Sequence, residues 1–260
     1  TVPIVAVSDS AFHRTMPAVA GAYALKADDA KKLSIRKFGY HGISCTSIVR
    51  KFPKLFGTLP PRIIVCHLGG GVSITALKDG KSFDTSMGLT PLSGVVMATR
   101  VGDIDPGAVL ALLREGGQGV GFAIPEAEDY LYHSCGLLGI SGKTGDVREL
   151  LALEKKGDEG AKRALLAFAY SVKKYIGAYI AVLGGIDALV FSATIGERSA
   201  PMRSRILQGL EGLGITLDEA KNEAMVEKDG VISKAGAHVL VAVARTDEMD
   251  EMAKETQRLL

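Results

Sequence analysis

Apolar and polar positions follow two periods along the chain. Short runs rich in β-branched residues predict strands, and these runs are Ile4–Val7, Ile63–His67, Val72–Leu77, Ala188–Ser192 and Val239–Val243. Apolar residues spaced three and four apart predict helices, at 106–116, 124–133, 146–155, 160–183, 199–212 and 247–259. The Asp79-Gly80 pair predicts a hairpin between 72–77 and 81–84. Strands mixed with helices indicate an α/β chain, and the hairpin excludes an all-parallel doubly wound sheet.

The longest apolar stretch, near 175–195, contains Gly184, Gly185 and Asp187. These residues divide it into a predicted helix, a turn and a strand, so we predict no membrane span.

Composition narrows the class of protein. The 260 residues are 47% hydrophobic, enough for a large core, and 31 basic side chains nearly balance 29 acidic ones. This balance gives no sign of a nucleic-acid partner. Cys45, Cys66 and Cys135 are odd in number and lack paired spacing, which favours a reducing, cytoplasmic compartment over a disulfide framework.

Three consecutive glycines, Gly69 to Gly71, follow the second predicted strand. A dinucleotide-binding fingerprint would need a helix after the glycines, but the alternating segment "VSITAL" predicts a strand. A Walker loop would need Gly-Lys-Ser/Thr, which does not follow. Two interpretations remain: a plain β-turn, or a hairpin tip whose backbone N–H groups bind a phosphate.

Isolated polar residues near this turn support the second interpretation, a hairpin tip that binds a phosphate. Residues 83–108 are dense in small polar residues and carry Arg100, which is a candidate clamp on a transferring phosphoryl group, or a solvated surface charge. Asp9 follows the first predicted strand, where α/β proteins place catalytic carboxylates, or it simply caps the next segment. His41 lies between Gly39 and Gly42 and is a candidate catalytic group, or a structural histidine. No Cys/His group has convincing spacing for a structural zinc site.

Taken together, these motifs resemble the acetate/propionate kinase family, within the sugar-kinase, heat-shock and actin ATPase superfamily. The resemblance is carried, in order, by "DSAFHRTMP", "FGYHGIS", "CHLGGGVSITALKDGKSFDTSMGLTPLSGVVMATRVGDIDP", "GLLGISGKTGDVREL", "YIGAYIAVLGGIDALVFSATIGERSA" and "VARTDEM". It implies an α/β fold with an RNase-H-like (actin-like ATPase) core, a mixed sheet and flanking helices.

The resemblance also implies a reaction: magnesium-dependent transfer of the ATP γ-phosphoryl group to acetate, giving acetyl phosphate and ADP. By motif position, the implied catalytic residues are Asp9, His41 and Arg100, and Glu248 is the implied magnesium-linked acid. The implied nucleotide and phosphate contacts are His67, Leu68, Gly69, Gly70, Gly71, Asp146, Val147, Arg148, Thr194, Ile195, Gly196, Glu197 and Arg198. A cytoplasmic homodimer is implied as well.

The chain also departs from the family pattern. The family's N-terminal domain has no counterpart here, so we expect residues 1–260 to be a C-terminal nucleotide-binding and dimerisation domain. The last helix, 247–259, is expected to pack towards the missing domain, and the chain alone is expected to be weakly active or inactive. Gly70 stands where relatives carry Asn, Thr194 replaces a Gly, Arg198 replaces an Asn, and Met249 replaces a Glu.

These departures keep other functions open. Pyrophosphate is an alternative phosphoryl donor, because a β-branched Thr194 could narrow the adenine pocket. Propionate or butyrate kinase activity, and a non-catalytic nucleotide-binding module, are the alternative functions.

Overall fold

The computed structural model describes residues 2, 4–119 and 121–259. Within them, one mixed sheet has the strand order β3-β2-β1-β4-β6-β5. The strands are β1 (Arg62–Leu68), β2 (Val72–Lys78), β3 (Lys81–Thr85), β4 (Ala188–Ser192), β5 (Gly230–Val231) and β6 (Leu240–Val243). The α-helices are α1 (Ala18–Gly21), α2 (Ala27–Lys32), α3 (Gly42–Phe56), α4 (Pro106–Gly119), α5 (Ile124–His133), α6 (Gly136–Ser141), α7 (Val147–Lys155), α8 (Glu159–Leu183), α9 (Ala193–Arg198), α10 (Ala200–Leu207), α11 (Glu219–Ala224) and α12 (Glu248–Leu259).

The sheet combines an antiparallel meander with a parallel centre. β1, β2 and β3 pair antiparallel, whereas β1, β4 and β6 run parallel. The predicted hairpin and the predicted α/β class with a mixed sheet are both confirmed. Because parallel strands end at the same edge of a sheet, the segments that follow β1, β4 and β6 meet there.

Helices cover both faces of this sheet. On one face, α8 packs against β2 and β1 and buries Leu165, Phe168, Val172 and Ile176, the stripe that the sequence predicts. By length and composition α8 could cross a membrane, but this stripe lies in the core. On the other face, α3 buries Cys45, Ile48 and Phe52 against β1 and β4.

Three sequence predictions about elements need correction. The strand predicted at Ile4–Val7 is wrong: the segment forms no ladder within the described residues, and Ile4 is 96% exposed, so no sheet stabilises it. The helix predicted at 199–212 is divided, since α10 ends at Leu207 and a short 3₁₀ turn, Glu211–Leu213, follows. Helix α3 was not predicted at all.

The last helix begins one residue later than predicted and packs on α3. Ser47 of α3 accepts a hydrogen bond from the backbone N–H of Asp247 at 3.0 Å, and Arg50 pairs with the buried Glu251 at 2.5 Å. Met249 and Leu259 remain largely exposed. The packing of this helix towards an N-terminal domain stays a prediction.

Candidate active site

A cleft of about 490 Å³ opens at the edge where β1, β4 and β6 end. Its walls are the turn Gly69–Gly71, the start of α9, the segment 246–249 and the rings of His41 and His67. Four separate parts of the sequence therefore meet at one place.

The three glycines form the turn of the β1–β2 hairpin. The N–H of Gly69 donates to the carbonyl of Gly71 at 3.0 Å, and Leu68 pairs with Val72 across the turn. A Cβ atom on Gly70 would meet nothing within 4 Å, whereas one on Gly71 would touch functional side chains. The turn is thus open at Gly70, its tip, whereas the side chains of His41 and Arg100 lie close to Gly71.

Two stacked imidazoles lie beside this turn. The rings of His41 and His67 have centroids 4.0 Å apart and are inclined by 20°. Nδ1 of His41 lies 3.0 Å from the hydroxyl of Ser73, and Nδ1 of His67 lies 2.8 Å from that of Ser44. Each ring is therefore fixed through one nitrogen, which leaves Nε2 as its free edge.

Both imidazoles are neutral at pH 7. Burial lowers the pKa of His41 to about 4, with Arg100 adding to the effect and Asp9 opposing it. Burial also lowers the pKa of His67 well below its ordinary value, and the adjacent His41 lowers it further. Neutral rings can stack closely without like-charge repulsion.

Arg100 reaches the same flank of the glycine turn as His41. A Cβ atom on Gly71 would lie 3.2 Å from Nε2 of His41 and 3.3 Å from Nη1 of Arg100. Nη1 also donates weakly to the carbonyl of Pro91 at 3.4 Å. Within the described residues Arg100 forms no ion pair, so its charge is available to an anion bound at the turn.

Asp9 holds the beginning of α3. Its carboxylate accepts the backbone N–H of His41 at 2.7 Å and that of Ile43 at 3.2 Å, and its own carbonyl accepts the N–H of Gly42. His41 has φ 59° and ψ 29°, a left-handed conformation that is uncommon for a residue with a side chain. Asp9 thus fixes the backbone that presents the His41 ring.

Glu248, the first residue of α12, lies at the rim of the cleft. Burial raises the pKa of its carboxyl group, and the nearby Asp9 carboxylate raises it further. The Asp9 carboxylate therefore lies near enough to Glu248 to oppose its ionisation. Within the described residues no group of three or more Asp, Glu, His or Cys side chains is preassembled for a metal ion.

Residues 194–198 follow β4 as helix α9, and only part of this segment faces the cleft. Thr194 and Glu197 line it, while Ile195 and Gly196 pack towards the core. Glu197 accepts the N–H groups of Ala193 at 2.9 Å and Thr246 at 3.3 Å, and so joins the segments that follow β4 and β6.

Arg198 lies further out, in an ion pair with Glu227 at 2.6 Å. Both side chains are more than half exposed, so this pair leaves the guanidinium accessible from solvent.

Asp146, Val147 and Arg148 do not line the cleft. Asp146 caps α7 and pairs with Arg148 at 2.6 Å, whereas the Val147 side chain is buried in the core. This segment lies behind the loop that carries Arg100, because Ala98 contacts both Gly145 and the carbonyl of Gly70. The backbone of the loop that carries Arg100 therefore separates residues 146–148 from the glycine turn. The contact of these residues with a nucleotide stays a prediction.

The structure also brings in residues that the sequence motifs did not single out. Ser44 and Ser73 orient the two imidazoles, and Thr246 and Asp247 complete the wall opposite the glycine turn. Ser44 and Ser73 sit in quoted motifs beside the candidate residues, but nothing in their spacing indicates which histidine each contacts.

Comparison with known proteins accounts for the whole arrangement. A sequence profile described as the Acetokinase family matches residues 1–254. The chain belongs to the acetokinase family. Curated relatives in this family include the acetate kinases of Heliobacterium modesticaldum, 47% identical over 100% of this chain, and Shouchella clausii, 46% identical over 99%. The predicted family is confirmed.

Solved structures of the family superpose on most of the chain. They include an acetate kinase from Porphyromonas gingivalis (TM-score 0.92, 38% identity, 96% of this chain and 62% of that one). A propionate kinase from Francisella tularensis gives a TM-score of 0.89 at 40% identity, over 97% of this chain and 63% of that one. The RNase-H-like, actin-like ATPase class predicted for this acetokinase chain agrees with these likenesses.

The chain spans about 64% of the length of the curated relatives that it matches. The chain thus corresponds to part of those proteins.

Proposed function

We propose that this chain is the nucleotide- and phosphoryl-binding part of an acetate kinase, which transfers the γ-phosphoryl group of ATP to acetate. The observation that carries the proposal is the convergence of His41 and Arg100 on Gly71, on the flank of the hairpin turn. A glycine turn, an unpaired guanidinium and a neutral imidazole form an anion-binding site at which a phosphoryl group can be held.

Phosphoryl transfer needs positioning and charge neutralisation more than covalent chemistry, because its transition state is loose and in-line. In this proposal the transferring group lies beside Gly71. Arg100 neutralises its equatorial oxygens, and the glycine turn approaches it without side chains. Acetate is already a nucleophile, so Asp9 is not required as a base.

His41 acts as a neutral hydrogen-bond donor in this proposal. With the Ser73 hydroxyl donating to Nδ1, the ring proton stays on Nε2, which faces the same flank of the turn as Arg100. A neutral donor stabilises the developing charge without repelling the arginine beside it, which agrees with the lowered pKa of His41.

The rim of the cleft fits a magnesium ion by the chemistry of its donors. Mg²⁺ prefers oxygen ligands and is usually held by one or two carboxylates together with substrate phosphates. Asp9 and Glu248 supply two carboxylates close enough for one to raise the pKa of the other, a repulsion that a divalent cation relieves. When bound, the ion neutralises phosphate charge. Asp9 and Glu248 are the residues proposed to hold it.

Thr194 and Glu197 extend the proposed nucleotide site away from the glycine turn, with Arg198 and Glu227 beyond them. ATP is the preferred donor because family members named acetate kinase match the chain throughout. Pyrophosphate, which would fill only the phosphate end of the cleft, is the alternative donor. A cytoplasmic homodimer is proposed as well, and the three free cysteines are compatible with a reducing compartment.

The direct test is to measure acetyl phosphate formation from ATP, acetate and Mg²⁺. We expect turnover from the gene product that contains this chain and little or none from residues 1–260 alone. Propionate is the second candidate substrate, supported by the 40% identity to the Francisella tularensis propionate kinase. Comparing kcat/KM for acetate, propionate and butyrate decides among the three acids.

A non-catalytic nucleotide-binding module is the remaining alternative, and calorimetric titration with ADP separates it from a kinase. ADP binding without phosphoryl transfer to any of the three acids would favour the module. Absence of ADP binding would contradict both proposals.

A further inference from the structure

The loop that carries Arg100 is closed at its neck by a single carboxylate. We call residues 94–103 the arginine loop. Gly94 donates its N–H to Oδ1 of Asp103 at 2.7 Å, and the N–H of Asp103 donates to the carbonyl of Gly94 at 2.8 Å. The two ends of the loop are thus joined by a reciprocal pair of hydrogen bonds, one of them charge-assisted.

The second carboxylate oxygen ties this neck to the core helix. The hydroxyl of Tyr175, on α8, donates to Oδ2 of Asp103 at 2.6 Å. Burial and the Asp103 carboxylate raise the pKa of Tyr175, so the phenol remains a donor throughout the physiological range. Helix α8 is 25 residues long and packed on the sheet, which gives the neck a rigid anchor.

Other contacts hold the middle of the arginine loop, among them the N–H of Val101 on the carbonyl of Leu131 at 3.1 Å, and Asp103 closes the neck. The carbonyls of Met97 and Thr99 accept N–H groups from the segment 135–137. Among the residues that the structure describes, the guanidinium of Arg100 has only its weak contact to Pro91 and a longer one to the sulfur of Met97. Its direction therefore depends on the backbone of the loop rather than on partners of its own.

The backbone at the neck of the arginine loop is closely packed. Gly94 and Gly102 both have positive φ, and a Cβ atom on Gly102 would lie 2.9 Å from the carbonyl oxygens of Gly94 and Val95. A shift of Asp103 would therefore be passed to Arg100, three residues earlier in the chain.

We propose that Asp103 and Tyr175 are positioning residues that hold Arg100 against the glycine turn. This inference rests on the proposed function, since the orientation of the Arg100 guanidinium matters for catalysis only if a phosphoryl group binds at that turn. A misdirected guanidinium reduces the stabilisation of the transition state more than it reduces substrate binding, so the expected effect is on kcat.

The test compares Tyr175→Phe with Tyr170→Phe, a control at an exposed position of the same helix. Amide hydrogen exchange is measured over residues 94–103, and turnover is measured with ATP, acetate and Mg²⁺ in the gene product that contains this chain. Loss of the hydrogen bond to a carboxylate is expected to speed exchange at Gly94 about tenfold. We expect kcat to fall about tenfold while KM for ATP changes less than twofold; Tyr170→Phe should change neither.

Two results would overturn the positioning role: unchanged exchange at Gly94 in Tyr175→Phe, or faster exchange with an unchanged kcat. If the wild-type protein shows no turnover with any of the three acids, the proposed function fails by itself. Amide hydrogen exchange over residues 94–103 then decides the role of Tyr175. Faster exchange at Gly94 in Tyr175→Phe supports it, and unchanged exchange contradicts it.

Discussion

The imidazole of His41 stacks on that of His67 at a centroid distance of 4.0 Å, and a different serine holds each ring. The pair stands beside a glycine turn approached by Arg100. Because both rings are uncharged, the single positive charge at this flank of the turn belongs to the arginine. The site therefore separates two tasks: Arg100 supplies charge, and His41 supplies a directed hydrogen bond.

Replacing Arg100 should abolish most of the proposed activity. We expect Arg100→Ala to lower kcat by about a hundredfold or more, because it removes the charged donor at the transferring group. Arg100→Lys should recover only part of this loss, since an ammonium lacks the planar fork of a guanidinium. Near-wild-type turnover in Arg100→Ala, with an unchanged melting temperature, would contradict the assigned role.

The glycine turn offers a matched pair of substitutions. Gly70→Asn should be tolerated, because its Cβ meets nothing within 4 Å, and the added amide should strengthen phosphate binding at the turn. Gly71→Ala should weaken it, because its Cβ would press on His41 and Arg100. Calorimetric titration with ADP checks both. A weaker affinity in Gly70→Asn would show that an extra side chain at the tip hinders the ligand.

The two histidines predict how stability depends on pH. Their folded-state pKa values lie below the ordinary value of about 6.5, so the unfolded chain takes up protons first. Their contribution is present above pH 6.5 and is lost as the pH falls through the folded-state pKa, which is about 4 for His41. Each proton adds a slope of about 1.4 kcal/mol per pH unit to the free energy of unfolding.

Denaturant unfolding between pH 4 and 7 measures this slope. His67→Gln should reduce it by about one proton. Equal slopes in the wild type and His67→Gln would contradict the prediction.

Asp9 connects helix capping to the ionisation of Glu248. Asp9→Asn keeps the size of the side chain but removes its charge and one of its two carboxylate acceptors for the start of α3. We expect about 1 kcal/mol of lost stability and a lower pKa for Glu248, because the repulsion disappears while burial remains. Carbon-13 NMR titration of Glu248 checks the second effect; an unchanged pKa would mean that Asp9 does not act on it.

Arg203 and Arg205, two residues apart in α10, should differ sharply in their effect on stability. Arg203 is 0% exposed and donates to the carbonyls of Gly196, Asn222 and Met225, whereas Arg205 is partly exposed and pairs with Glu154.

Arg203→Met leaves several buried carbonyls unpaired and should cost about 3 kcal/mol or more of stability. Arg205→Met should cost about 1 kcal/mol or less. Thermal or denaturant unfolding of the two variants ranks them, and equal losses would mean that the buried hydrogen bonds carry little net energy.

Local patterns predicted much of the fold because they act within a few residues. The β1–β2–β3 meander follows from alternating apolar residues around Gly69–Gly71 and Asp79-Gly80, and α8 follows from its apolar stripe. Helix α3 escaped prediction because its start is fixed by Asp9, more than thirty residues earlier in the chain. The strand predicted at Ile4–Val7 failed for the opposite reason: its residues suit a strand, but no strand within the described part of the chain pairs with it.

The candidate site was predictable as a set of residue types but not as an arrangement. The motifs name His41, Arg100 and the glycines, yet only the folded chain brings Nε2 of one and Nη1 of the other to the same flank of Gly71. The serines that orient the rings act across 32 and 23 residues of sequence, and the carboxylate that closes the arginine loop is held by Tyr175 across 72 residues. Contacts of that range leave no periodic trace in the sequence.

The left-handed backbone of His41 sets a limit on how this protein can be stabilised. At most such positions a change to glycine relieves strain of about 1–2 kcal/mol. Here the same change would remove the imidazole that faces the glycine turn. The backbone strain at residue 41 therefore cannot be relieved without losing the proposed role of the side chain. Ala193, also left-handed with φ 62°, carries no functional group at the same rim. A substitution to glycine can therefore stabilise the protein at residue 193 without removing a functional side chain, but it cannot do so at residue 41.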